Sequence, residues 1–514
     1  MSIVSIQFLV FLVAVIVMYY ILPQKIQYIV LLFFSYAFYL IGGVKPVIFI
    51  IVTTVTVFYS GLWIEGVRNK TDDKVRVKKQ MRRILFGVAV FNFGTLFLLK
   101  YYNYFADKTN NIFGLFEYNI DLPLINIILP MGISFYTFQA IGYCIDIYRN
   151  KIKAERNFAR FALFISFFPQ VIQGPISRYN DLGEQLSAFH KFNYKQFTFG
   201  LQLMLWGFFK KLVIADRLAI VVDNVFGSYT YYDGTQTFLA IICYAIQIYA
   251  DFSGGIDIVR GAAQCLGFDL MENFKRPYFG TSVAEYWRRW HISLTSWMRD
   301  YVFFPIALSK FSNKIGKFSR KNLKGHIGKQ IPSYLPTFVT FFLIGVWHGA
   351  GGGFIVFGFY NAILMVLGMM FKPAFEKINR FFGINTKCLS WKVWQIIRTF
   401  FIMAAGKCIT RSVNVAAGIE MLKKCADLMD FNNIVYRLFS MGLNVSNCFV
   451  LILALVLFLI VSIMQENDIS IREKMSQQIL PFRWSVYIFM ILAVIIFGMY
   501  GEGFDVSQFI YRGF

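Results

Sequence analysis

Acidic residues are scarce in this chain, with 28 Asp and Glu against 51 Lys and Arg in 514 residues, and charged residues of either sign make up only 15%. Charge this sparse cannot cover the surface of a soluble protein, where about a quarter of residues are charged. Histidine occurs only at positions 190, 291, 326 and 348. The seven cysteines show no CxxC spacing, and Cys144, Cys243, Cys265, Cys408 and Cys448 lie in or beside apolar runs. That pattern argues against a disulfide framework and against zinc, so no metal site is expected. No internal repeat is visible, which counts against a transporter built from paired halves, the reading from another class of protein. The formal charge of +23 comes without a nucleic-acid-binding motif, and its basic residues sit in short loops between apolar runs. They fit the bias toward cytoplasmic loops rather than a nucleic-acid partner.

What the sequence has in quantity is apolar surface. Hydrophobic residues make up 57% of it and the mean hydropathy is +0.55, with runs long enough to cross a bilayer. The expected fold is an all-α polytopic integral membrane protein of about 11 to 13 membrane segments, re-entrant helices included. The start lacks the basic residues of a cleavable signal, so 3–22 reads as a retained first span. Runs at 27–41 and 46–64 lead into 68–83, a strongly basic stretch assigned to the cytoplasm. Counting back three spans puts the N-terminus outside. A span at 84–101 would run outward to a polar connection through Asn110 and Asp121, and 122–148 would return to the basic cluster 149–153. The localisation implied is the plasma membrane, with the chain crossing it many times.

Three stretches depart from simple spans. Pro169, Gly174 and Pro175 interrupt the run after Phe158, and a broken segment at membrane depth needs protein or a water-filled cavity around it. Farther on, 194–225 reads as one long helix and 238–252 as a span ending in Gln247, Tyr249, Asp251 and Ser253. The stretch 281–304 reads as an amphipathic helix, with Ser282 and Glu285 as a capping box and Glu285 and Arg289 as an i,i+4 pair. Composition alone favours placing that helix in the membrane interface.

The third stretch is Gly345-Val346-Trp347-His348-Gly349-Ala350-Gly351-Gly352-Gly353, set between apolar runs at 335–344 and 354–371. Basic residues flank both runs, at 310–329 and at Lys372, Lys377 and Arg380. The pair therefore reads as a hairpin whose ends are cytoplasmic. From Leu335 to His348 is about 20 Å of helix, against about 30 Å of hydrocarbon, which puts His348 past the middle of the membrane. It is either a hydrogen-bonded structural histidine or a functional group, since an ionisable side chain is costly there.

Motifs outside the hairpin narrow that choice. Trp287-Arg288-Arg289-Trp290-His291-Ile292-Ser293-Leu294-Thr295-Ser296-Trp297-Met298-Arg299-Asp300-Tyr301 followed by Trp347-His348-Gly349 resembles the membrane-bound O-acyltransferase family, in particular its bacterial branch that modifies alginate and teichoic acid. So do 131–139, Gln173-Gly174-Pro175-Ile176-Ser177-Arg178, Asp251-Phe252-Ser253-Gly254 and 273–278, in the order expected. The resemblance runs from about residue 80 to 375. It implies a ring of tilted helices around a central tunnel, in a single membrane domain over 1–514, with a catalytic core at 111–375 between N-terminal spans (1–110) and C-terminal spans (376–514).

The family's histidine matches His348, and its upstream polar partner, which is Asn, Asp or His in the wider family, matches His291. The resemblance implies transfer of an acyl group, most simply acetyl, from a cytoplasmic thioester to hydroxyls of a secreted or cell-surface polysaccharide. His348 would act as general base, a role that suits an imidazole with an ordinary pKa of about 6.5. His291 would orient the substrate or polarise the thioester carbonyl. No cofactor is expected to stay bound. Acetyl-CoA is the implied donor, with an acyl carrier protein as alternative, and an extracytoplasmic acetyltransferase-like protein is the implied partner. D-alanyl transfer to teichoic acid is the rival within the family.

Further residues have two readings each. Arg288, Arg289 and Arg299 suit donor phosphates or lipid headgroups equally. Asp251 and Asp300 suit salt bridges to those arginines better than catalysis. Gln139 and Tyr136 either line the tunnel or pack between helices. Trp287, Trp290, Ser293, Gln173, Arg178, Ser253 and Trp347 join the candidate binding residues through the motifs that carry them. Two C-terminal stretches bear on the branch. Gly406-Lys407-Cys408-Ile409-Thr410-Arg411 keeps only the Gly and Arg of a Gly-Trp-x-Phe-Phe-Arg-like run, whereas the ending 507–514 is similar to that of the acetyl-transferring branch.

Overall fold

The computed structural model describes residues 1–70, 73–116, 122–125, 129–171, 173–323, 325–427 and 434–500. Asp121, Ile172 within the broken segment and the 507–514 ending lie outside the described residues. Every regular element among the described residues is helical, and the one β feature is an isolated antiparallel bridge between Phe274 and Trp290. Among the described residues, eight helices are long and apolar enough to cross a membrane, including Val44–Arg68, Gly234–Cys265, His326–His348, Gly352–Phe381 and Val445–Glu466. Ile6–Ile21 and Phe158–Val171 are apolar but shorter. The chain is a multi-pass membrane protein.

Two compact units divide it: residues 1–204 with 258–271, and residues 205–257 with 272–514. In the first unit, helix Lys74–Leu115 runs through the basic cluster expected as a loop, because 74–83 contains neither Gly nor Pro to stop it and Asp73 caps its first turn. The expected span at 122–148 is instead helix Ile133–Tyr148. It begins at Gly132, whose φ of +71° brings the backbone so close to the Val171 carbonyl that no Cβ fits. The chain does break where the prolines stand, after Phe158–Ser166 and the single turn Phe168–Val171.

The stretch expected as one helix from 194 is nearly so, with a π-helical segment Phe209–Ala215 between Tyr194–Phe208 and Asp216–Gly227. The extra residue per turn of a π-helix turns both Lys210 and Lys211 inward, where they are buried. Gly254 of helix Gly234–Cys265 lies against this segment so closely that a Cβ would stand 2.9 Å from the Gly207 carbonyl. Ion pairs flank the contact. Lys211 Nζ is 2.7 Å from Asp251 and 2.8 Å from Asp216, and Lys210 Nζ is 2.7 Å from Asp257 and donates to Ser253 at 3.0 Å.

Lys211→Met should therefore be costly. Both Lys211 and Asp251 side chains are 2% exposed, and removing one partner of a buried ion pair costs about 3–5 kcal/mol. Thermal unfolding of the purified variant should show a large drop in midpoint, partly restored in Lys211→Met/Asp251→Asn. An unchanged midpoint for the single variant would remove the pair from the account of stability.

Candidate active site

The hairpin expected around Trp347-His348-Gly349 is formed by His326–His348 and Gly352–Phe381. Its first helix starts nine residues before Leu335 and ends on His348 itself. Glycines let the two helices touch backbone to backbone: a Cβ on Gly345 would stand 2.5 Å from the Phe354 carbonyl oxygen, and one on Gly358 would stand 2.6 Å from that of Phe341. At the tip, Gly349 makes room for the Phe354 ring, which stacks on His348 with ring centroids 6.2 Å apart. The glycines thus serve close packing of the protein's own chain. His326, at the open end, lies 2.9 Å from the Met369 carbonyl and ties the helices there.

The stretch 281–304 is not one helix. Val283–Arg289 stops, and Ile292–Met298 begins after His291, which takes the left-handed conformation at φ +47°. The cause is the pairing of Asn273 to Lys275 alongside it. Lys275 N–H donates to Arg289 O and Ile292 N–H to Asn273 O, each at 3.0 Å, so these residues make a short antiparallel bridge where a helix would have continued. Left-handed backbone at a bulky residue costs of order 1–3 kcal/mol and clusters at functional sites. Burial of Trp287, Trp290 and Trp297 also overturns the interfacial reading, since none of these rings faces outward.

The break sets His291 beside the hairpin tip. Its ring centroid is 4.9 Å from that of Phe252, edge to face, and 5.8 Å from that of Trp347. Trp347 is also 4.8 Å from His348, so the two imidazoles lie within about 11 Å of one another with one indole contacting both. Both histidines are buried. Trp287 fastens the segment to the second hairpin helix by donating Nε1–H to Asn361 at 3.0 Å.

Asn273 settles which nitrogen of His291 carries the proton. Its Oδ1 accepts the Ser293 N–H at 2.9 Å, which fixes the amide with oxygen inward, and that oxygen lies 3.3 Å from His291 Nδ1. Nδ1 is then the donor and Nε2 carries the lone pair. Burial pulls the His291 pKa down to about 3, so the ring is neutral at any physiological pH. A neutral ring in this tautomer accepts a hydrogen bond at Nε2 but has no proton there with which to polarise a carbonyl.

The other candidates fall into groups. Arg289 is held by carboxylates, 2.7 Å from Glu285 and 2.8 Å from Glu466, the latter also 2.9 Å from Arg276, which leaves little of it for donor phosphates. Arg288 and Arg299 are exposed, and Arg299 pairs with Asp300 at 3.0 Å. Asp251 pairs with Lys211 rather than with any of those arginines, which corrects the expectation, and Ser253 belongs to the same buried network. Ser293 keeps its hydroxyl buried near His291. In the first unit, Gln139 donates to Phe164 O at 2.6 Å and accepts from Gln170 at 2.7 Å, as a packing residue does. Gln173 is buried with neither end of its amide bonded among the described residues, and Arg178 is half-buried.

Residues beyond the candidates also shape the site. Asn273, Phe252, Asn361 and Glu466 are four of them. Lys407, in the altered run of helix Leu389–Arg411, extends its amine 3.7 Å from the centroid of Trp290 and donates to the Tyr278 hydroxyl at 2.6 Å. The Lys407 substitution was visible in the sequence, but its contact with the residue before His291 was not.

The helical fold, with one buried histidine at a hairpin tip and another beside it, defines a membrane protein with a candidate internal site. Comparison with known proteins places it: the model of the MBOAT, membrane-bound O-acyltransferase family matches residues 149–320, which include His291. The chain is 34% identical over 401 residues, 77% of its length and 70% of the relative's, to a probable alginate O-acetylase of Pseudomonas syringae pv. tomato. A probable alginate O-acetylase of Pseudomonas aeruginosa is 32% identical over 406 residues, 79% of this chain and 70% of the relative. The teichoic acid D-alanyltransferase of Bacillus subtilis is 28% identical over 269 residues, 50% of this chain and 62% of that protein. The chain belongs to the membrane-bound O-acyltransferase family and is an O-acyltransferase.

Proposed function

We propose that the protein transfers acetyl groups from a thioester donor to hydroxyls of a secreted or cell-surface polysaccharide, with His348 as general base. The observation that carries this reading is the packing of His291, Trp347 and His348 at the tip of a membrane hairpin. The relatives at about a third identity, named as probable alginate O-acetylases, supply the acyl group and the acceptor class. A hydroxyl is a poor nucleophile until its proton is removed, and His348 is the group to remove it as the oxygen attacks the thioester carbonyl. The thiol leaves with a proton, and His348 returns to the neutral form.

His291 accepts a hydrogen bond at Nε2 from a neighbouring hydroxyl of the acceptor sugar or from a water bound to it, leaving the attacking hydroxyl's proton to His348, and so orients rather than polarises. That choice follows from its tautomer. Trp347 holds the two rings in register. Acetyl-CoA is the simplest donor on the cytoplasmic side, the N-terminus lies outside, and an extracytoplasmic partner carries the acetyl group onward. Placing the base deep in the bilayer lets the donor stay on one side and the acceptor on the other.

Mass analysis of surface polymer from cells with and without the gene tests this function. Loss of ester-linked acetate is expected. Loss of ester-linked alanine instead would assign the chain to D-alanyl transfer, and no change in either would refute both.

A further inference from the structure

Helix Lys310–Asn322 precedes the hairpin and has three distinct faces. Ser312, Gly316 and Ser319, spaced four and three residues apart, are its buried side. They seat it on the hairpin's first helix, where Ser319 Oγ donates to Gly328 O at 2.8 Å and a Cβ on Gly316 would stand 3.0 Å from Pro332. On the far side, Lys310, Lys314, Lys317 and Lys321 are spaced four, three and four residues apart and fall on one line along the helix, all exposed. Beside that line stand Phe311 and Phe318, 61% and 71% exposed, with Leu308 and Leu323 exposed before and after the helix. No Asp or Glu occurs between Asp300 and Glu376.

We propose that this helix is a binding site for anionic phospholipid, with headgroup phosphates along the lysine line and acyl chains over Phe311 and Phe318. Lysine amines on four-carbon stems reach headgroup level while the stems and rings stay in the apolar boundary. The phenylalanine row selects a bilayer over a soluble acidic chain. Leu335 and Phe342 are likewise exposed on the helix that enters the membrane next. Each lysine near an anionic surface is worth about a fivefold gain in partitioning. Because the helix rests on the hairpin that ends at His348, bound lipid also steadies the base of the hairpin.

Hydrogen exchange of the full chain tests this, in nanodiscs of phosphatidylcholine alone and of phosphatidylcholine with an equal part of phosphatidylglycerol. Amides of 310–322 should exchange at least about fivefold more slowly with phosphatidylglycerol present. High salt should abolish the difference, and so should Lys310→Gln/Lys314→Gln/Lys317→Gln/Lys321→Gln. Phe311→Ser/Phe318→Ser, which keeps every lysine, should lose most of it. Equal exchange in the two discs would overturn the proposal, as would slowing that survives in the four-lysine variant. Fast exchange in both discs with protection by an acidic protein would assign the face to a soluble partner. If a variant disturbs the exchange of His326–His348 in phosphatidylcholine, the wild-type comparison between discs and salt concentrations still decides.

Discussion

His291→Ala is expected to slow acyl transfer to the hydroxyl acceptor about a hundredfold, while the protein inserts and purifies normally. The magnitude is the upper part of the cost of leaving a buried hydrogen-bond partner unsatisfied, about 1–3 kcal/mol. The loss should fall on transfer to the acceptor more than on slow hydrolysis of the thioester by water, because His291 orients the acceptor and does not polarise the carbonyl. His291→Asn, whose amide oxygen again accepts a hydrogen bond, should keep more activity than the alanine variant. Steady-state transfer and hydrolysis, measured side by side on reconstituted protein, separate the two effects. Transfer at the wild-type rate in His291→Ala would remove His291 from the site.

That expectation depends on Asn273, and Asn273 shows where sequence reading stopped. The run 273–278 was recognisable as a motif, but its role rests on pairing with residues 289–292, a contact that no helical or strand period announces. The same pairing explains the break before Ile292. Residues 281–304 contain no glycine at the break, and Pro305 comes only after it. Ser282 does cap Glu285 at 3.2 Å, and the Glu285 to Arg289 pair forms, so the local signals hold over Val283–Arg289, about two turns. Tertiary pairing then overrode them at His291.

The hairpin was far more legible, because three independent signals met there: apolar length, basic flanks and a cluster of glycines around one histidine. What the glycines do was not legible. Room for a substrate and room for a neighbouring backbone ask for the same residue, and the distances from Gly345 and Gly358 favour the backbone. Asp251 is a similar case. A buried acid in a membrane chain demands a cation, but Lys211 lies forty residues away on a π-helical segment, and α-helical periodicity would not have turned it inward.

His348→Ala carries the largest expected loss. A positioned general base contributes about 10²–10⁴-fold, and no other imidazole near His348 replaces it: His291 holds its proton on the nitrogen beside Asn273 and lies across Trp347. The alanine side chain leaves the hairpin's glycine contacts untouched, since Gly345, Gly349 and Gly358 make them. The fold should therefore survive and the donor should still bind.

Transfer of labelled acetyl from thioester to a polysaccharide acceptor by reconstituted His348→Ala is the most direct test. The expected protein inserts and unfolds like the wild type, binds the donor with similar affinity, and transfers at least about a hundredfold more slowly. Normal insertion with transfer at the wild-type rate would contradict the role of His348 as general base.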